Sequence, residues 1–293
     1  MSRNSVVLLT CLVVLLATAP VFAQAPPRPG LAVTVNTSHA LLRGLQDWWR
    51  VVPQWYGGTT WRNLMLRNDL TLTTMTAAGA GWGPSSAPGS SGEMRFTGAA
   101  SEALLGSTGM VGDNTAFTVI VGYRSSTQAR QYLYMDEGSA TNSMKLYLYE
   151  SVTEIIYFTM RDDVTGCCLL MSYNSSTPLD GFRHYIGVVQ AAKDNRKLYL
   201  DGVEVASDTA AIATLTGLST RRLGNSTSGS STLNGAIEEA FVYTRALSAA
   251  EMMQLVQSAK QGHPTLLTRG AQPLSLLFTG ARRAGGLLPF FLK

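Results

Sequence analysis

The chain of 293 residues is 45% hydrophobic but only 14% charged, with 28 glycines and a formal net charge of +4. That balance excludes intrinsic disorder, which needs low hydrophobicity and high net charge. It also excludes a nucleic-acid groove, because the middle of the chain has no basic stripe. No segment rich in Ala, Glu, Lys and Leu supports a coiled coil, which leaves a Ser/Thr-rich β-domain with appendages.

Arg3, the apolar run 6–18 and the small residues around Ala23 read as a secretory signal peptide, residues 1–23. Pro20 and the Val21-Phe22-Ala23 site argue against a retained anchor. The mature chain is therefore expected to be secreted, extracellular or periplasmic, with no membrane span. Residues 24–43 form a Pro-rich spacer and lead-in. Cys167 and Cys168 are adjacent. A bridge between them would be strained and in a strand they face opposite sides, so no disulfide framework is expected.

Short strands separated by turn residues follow, the pattern of an all-β, antiparallel two-sheet sandwich. Runs 116–123, 144–149, 154–160, 184–190, 197–200, 203–206 and 235–243 read as strands. Asp201-Gly202 between two apolar runs predicts a tight hairpin. After Tyr243 the period changes. Ser248 with Glu251 predicts a capping box, and Gly262 with Pro264 predicts the end of one short helix. The domain is expected over 44–258, followed by a basic and apolar tail, 259–293, whose removal after Gly262 should leave the sandwich folded.

The pair of runs His184-Tyr185-Ile186-Gly187-Val188-Val189 and Lys197-Leu198-Tyr199-Leu200-Asp201-Gly202 resembles the paired strands of laminin-G-like, concanavalin A-type lectin and glucanase domains. So does the ending, Gly235-Ala236-Ile237-Glu238-Glu239-Ala240-Phe241-Val242-Tyr243 followed by Arg245-Ala246-Leu247-Ser248. Gly92 to Gly98 is similar to the family's "G-x-x-L-x-F-x-G" strand. The resemblance implies a jelly-roll sandwich. It also implies calcium as the inorganic partner, held by a carboxylate at Glu238 and the carbonyl of Gly98, although Ala99 and Ala100 stand where members commonly carry acids. On the residues alone Glu238 shares a strand face with Ala240 and Val242, so an ion, a basic side chain or solvent must satisfy it.

Enzymes share this resemblance, yet the "E-x-D-x-x-E" strand of laminarinase-type relatives is absent. The acid pairs Asp136-Glu137, Asp162-Asp163 and Glu238-Glu239 are adjacent and would split between strand faces. No catalytic residue is expected. His184 reads as a rim residue with a satisfied ring nitrogen. Four of the five tryptophans, Trp48, Trp49, Trp55 and Trp61, crowd the opening. Trp49 reads as core, whereas Trp55 and Tyr56, beside Gly57-Gly58, are the candidate sugar platform. The expected function is a non-enzymatic module recognising a glycan or an extracellular protein, the alternative a structural component of an extracellular or particle-associated assembly, and the third a degenerate glycoside hydrolase.

Overall fold

The computed structural model describes residues 33–269 except 53–57, 76–77, 86–89, 100–101, 107–115, 126–129, 140–141, 151–153, 162–167, 176–178, 180, 182, 211–214, 216 and 227–230. The expected signal peptide, Cys167 and the tail beyond 269 lie outside these residues. In chain order the first strands are β1 (Val33–Val35), β2 (Leu45–Arg50), β3 (Thr60–Trp61), β4 (Leu70–Thr73), β5 (Gly81–Gly83), β6 (Glu93–Thr97), β7 (Ala103–Gly106) and β8 (Phe117–Ser125). Then come β9 (Gln131–Ser139), β10 (Asn142–Glu150), β11 (Glu154–Arg161), β12 (Cys168–Asn174), β13 (His184–Ala192), β14 (Asn195–Leu200), β15 (Val203–Asp208), β16 (Thr220–Leu223) and β17 (Asn234–Tyr243). Helix α1 (Ala249–Lys260) and β18 (Leu267–Arg269) close the fold.

The strands form a front sheet, in the order β12-β11-β10-β9-β16-β7-β4-β3, and a central sheet, β15-β14-β13-β8-β17-β6-β5. Every pairing is antiparallel, so the expected two-sheet sandwich is the architecture observed. Strand β17 organises the central sheet. One edge pairs with β8 throughout; the other pairs first with β6 and then, from Glu239, with β2.

Alternation along the strands divides the apolar residues between two cores. Phe117, Val119, Val121 and Tyr123 of β8, with Ala240 and Val242 of β17, enter the inter-sheet core. The front sheet meets them with Leu133, Leu146, Leu148, Ile156, Phe158 and Met171. The intervening Ile120, Phe241 and Tyr243 point the other way, into a second core under α1. Each fully buried aliphatic or aromatic side chain contributes about 1.5–3 kcal/mol. The central sheet is thus apolar on both faces, which explains its near-continuous hydrophobic runs.

One charged cluster lies between the sheets. Arg221 of β16 reaches Asp47 of β2 at 2.7 Å and Asp136 of β9 at 3.0 Å. All three are fully buried, and the guanidinium packs against the rings of Trp49 and Tyr134. Burial alone would lower the Arg221 pKa, but the two carboxylates raise it, so the arginine stays charged.

Helix α1 begins and ends as its sequence dictates. Ser248 and Glu251 form the reciprocal capping box, and Met252, Leu255, Val256 and Ala259 are buried in the second core. At the other end Gly262 adopts φ 82°. Its N–H donates to the Ala259 carbonyl, and the His263 N–H donates to Ser258, the paired bonds that close a helix through a left-handed glycine.

Structure continues past the expected 44–258 on both sides. His263 and Leu266 are fully buried beneath α1. Strand β18 then pairs with β1, Val35 opposite Leu267, which ties the lead-in to what was read as tail. The folded unit among the described residues runs from Val33 to Arg269. Truncation after Gly262 is therefore expected to destabilise the domain. In urea unfolding, Leu266→Ala should cost about 2–5 kcal/mol, whereas Leu170→Ala, at an exposed position, should stay within about 0.5 kcal/mol.

Candidate functional site

Trp55 and Tyr56 lie outside the described residues. Their neighbours Trp48, Trp49 and Trp61 are all fully buried and belong to the cores. Trp48 faces the helix side and Trp49 the inter-sheet core, as strand alternation requires.

Glu238 and Gly98 are not brought together. The Gly98 N–H donates to Leu233, just before β17 begins, whereas Glu238 lies well inside that strand, about 17 Å further along at the rise of an extended chain. Both Glu238 oxygens are already engaged, Oε2 by Arg183 Nη1 at 2.8 Å and Oε1 by the Ser85 hydroxyl at 2.9 Å. No cluster of three or more His, Cys, Asp or Glu among the described residues is placed to hold a metal. These residues do not fit a shared calcium ion. Of the three ways left open for Glu238, the geometry supplies the basic side chain. Burial raises the Glu238 pKa, against the opposing pull of Arg183.

The alternation argument also fails locally. The register between β17 and β8 slips between Ile237 and Glu239, where the other edge changes partner from β6 to β2. At this bulge Glu238 joins Arg183, which also packs over the Tyr185 ring and donates to the carbonyl of Lys260. Glu239 points into the second core. Its Oε2 accepts from His263 Nε2 at 2.8 Å, Arg50 Nη1 at 2.9 Å and Trp48 Nε1 at 3.2 Å, and its Oε1 from the Tyr185 hydroxyl at 2.7 Å. The Tyr185 ring fits because residue 122 is glycine; a Cβ there would sit 2.6 Å from the ring. Both carboxylates are consumed by protein partners. His184 has the structural place expected of it, with Nδ1 2.7 Å from Asp201 of the β14–β15 turn.

The exposed aromatic surface lies elsewhere, on the outer face of the front sheet. Cross-strand pairing aligns Tyr132 of β9, Tyr147 of β10 and Tyr157 of β11 with Ser172 of β12. Ring centroids are 5.1 Å apart between Tyr132 and Tyr147 and 5.2 Å between Tyr147 and Tyr157. The rings stand side by side, so their edges and hydroxyls, not their faces, are presented. Tyr149 closes one end, edge-on to Tyr157, and the Arg130 guanidinium lies 5.0 Å from its ring centre. Helix α1 and the β1–β18 ribbon pack on the central sheet and leave this face partly open.

Residues 96–253 match the concanavalin A-like lectin/glucanases superfamily. The chain belongs to that superfamily. No curated protein matches it in sequence. Solved structures share its fold at low identity. Domain 4 of the extracellular arabinanase AbnA from Geobacillus stearothermophilus, in complex with arabinotriose, is 13% identical over 73% of this chain and 98% of that domain, with a TM-score of 0.54. The binding domain of Paraclostridial Mosquitocidal Protein 1 is also 13% identical, over 76% of this chain and 56% of that one, at 0.57. The Trypanosoma rangeli sialidase is 13% identical at 0.53, and this chain spans only 34% of it.

Within this superfamily member the matched span holds both the tyrosine row and the Glu238-Glu239 pair, and excludes Trp55 and Tyr56. The β10 part of the row was legible in the sequence. In Met144-Lys145-Leu146-Tyr147-Leu148-Tyr149 the apolar residues alternate with Lys and Tyr, which places both tyrosines on the face away from the core.

Chelator is expected to leave the melting temperature unchanged. Glu238→Ala, by stranding Arg183, should cost about 3 kcal/mol in urea unfolding. Acid should also destabilise the domain. Burial lowers the His263 pKa below its usual 6.5 despite the facing Glu239. Below about pH 6.5 the unfolded chain binds a proton that folded His263 refuses, so stability falls by up to about 1.4 kcal/mol per pH unit. Burial opposes Glu239 ionisation, but His263, Arg50 and Tyr185 hold its pKa far below the ordinary 4.5, so a second loss begins under that pH. Urea titrations between pH 7.5 and 4 check both steps.

Proposed function

We propose that the mature protein is a secreted, non-enzymatic module that binds glycans through the tyrosine row of the front sheet. The observation that carries this reading is the row itself, Tyr132, Tyr147 and Tyr157 stacked across three strands, with Tyr149 37% exposed beside them. Phenol hydroxyls donate and accept hydrogen bonds, as sugar hydroxyls do, while ring edges offer apolar contact to sugar C–H groups. Ser172 continues the row onto β12, and Thr159 extends the polar surface along β11 opposite Lys145. The related arabinanase domain holds arabinotriose, so this architecture accommodates a short oligosaccharide.

The state of the acids supports the non-enzymatic part. Glycoside hydrolysis by two carboxyl groups needs both to face the bond being broken. Here Asp47 and Asp136 clasp Arg221, Glu239 is enclosed by four donors, and Glu238 is held by Arg183. Glu93 is tied to Arg95 and Arg124.

A glycan array with the mature protein, followed by calorimetry, tests the reading. Tyr147→Ala and Tyr157→Ala should each weaken the best ligand by about tenfold, equivalent to about 1.4 kcal/mol. Folding stability should change by no more than about 1 kcal/mol, the scale of a cross-strand pair. Absence of glycan binding, or binding indifferent to both substitutions, would overturn the proposal.

A further inference from the structure

Cations flank the tyrosine row on both sides. Because β9 and β10 run antiparallel with Tyr132 opposite Tyr147, Arg130 falls beside Tyr149, on one side of the row. Lys145 falls on the other, two residues before Tyr147 and about 7 Å along the strand. Arg161 continues the same side of β11 beyond Thr159, and its Nε is buried without a hydrogen-bond partner among the described residues. None of the three has a carboxylate partner among the described residues. Elsewhere Arg50, Arg183, Arg245 and Lys260 each meet one. Cations on both sides of a hydroxyl-lined row, with no carboxylate partner among the described residues, form a surface complementary to a ligand bearing more than one negative charge.

We propose that the front face selects anionic oligosaccharides, with Arg130 and Lys145 each meeting a carboxylate or sulfate group while the sugar rings lie across the tyrosine edges. This rests on the glycan reading above and adds a charge class to it. Arg130 is suited to the task, since a guanidinium offers a planar fork of donors to either group. A single-stranded nucleic acid fits less well, because it stacks bases on free aromatic faces. Both faces of Tyr147 are occupied, by Tyr132 and by Tyr157.

The test is calorimetry with tetragalacturonate against its methyl ester, which keeps the sugar and removes the charge. A second arm compares a heparin tetrasaccharide with its desulfated form, separating carboxylate from sulfate. The charged form of at least one pair should bind about tenfold tighter, and that preference should shrink on raising salt toward 1 M, where the screening length is about 3 Å. Arg130→Ala and Lys145→Ala should each reduce the preference by about fivefold. Lys193→Ala, an exposed cation of the β13–β14 hairpin, should leave it unchanged. Equal binding of charged and neutral forms would overturn the anionic proposal while the glycan reading stands. So would binding confined to other neutral glycans on the array. Failure to bind any glycan would overturn both readings. Binding of oligo(dT) as tight as either charged sugar, with the same Arg130 dependence, would overturn sugar selectivity in favour of a general polyanion surface.

Discussion

A single carboxylate sets the terms for the helix side of this molecule. Glu239 is ionised inside an otherwise apolar layer, where an uncompensated charge would cost several kcal/mol. Its four donors come from three separate parts of the chain: Trp48 and Arg50 from β2, Tyr185 from β13 and His263 from beyond α1. Each must arrive in register for the charge to be satisfied. The constraint explains why β2 takes over from β6 along β17, why residue 122 lacks a side chain, and why the segment after the helix folds back beneath it.

The Arg221 cluster applies the same chemistry to the opposite face of the central sheet. There a cation is enclosed by two aspartates, one from each sheet, instead of an anion enclosed by donors. A hydrophobic interface tolerates sliding of one layer over another better than an interface that must keep buried charges paired. With one network on each side, the central sheet is locked to both of its neighbours. The front sheet then presents its outer residues on a fixed lattice of strand spacings, the kind of support that a preformed ligand surface needs.

What the sequence revealed and what it concealed follow from the range of each interaction. Strands β8, β13 and β17, the Asp201-Gly202 turn and the Ser248–Glu251 box are written in neighbouring residues, and local patterns found them. The pairing of β1 with β18 is not local. Val35 and Leu267 meet across nearly the whole chain, and three-residue strands leave no periodic trace. His263 follows a helix-ending glycine and reads locally as tail, while its burial depends on Glu239, 24 residues upstream. Strict alternation misled at Glu238, where the bulge resets the parity of the strand. Tyr147 and Tyr149 were within reach of the same alternation, whereas Tyr132, at the parity of core residue Tyr134, joins them only through a register shift that the sequence does not show.

The β1–β18 ribbon also gives the molecule a polarity. Val33, Val35 and Leu267 pack against the helix-side core and Val33 pairs with Arg269, so residues 33 and 269 lie together at one pole. The tyrosines look out from the other pole, with the full thickness of both sheets between. A fusion or surface linkage made at Val33 or at Arg269, or at both at once, therefore leaves the tyrosine face pointing away from the point of attachment. Several copies tethered to one support would show their rows outward in a common orientation.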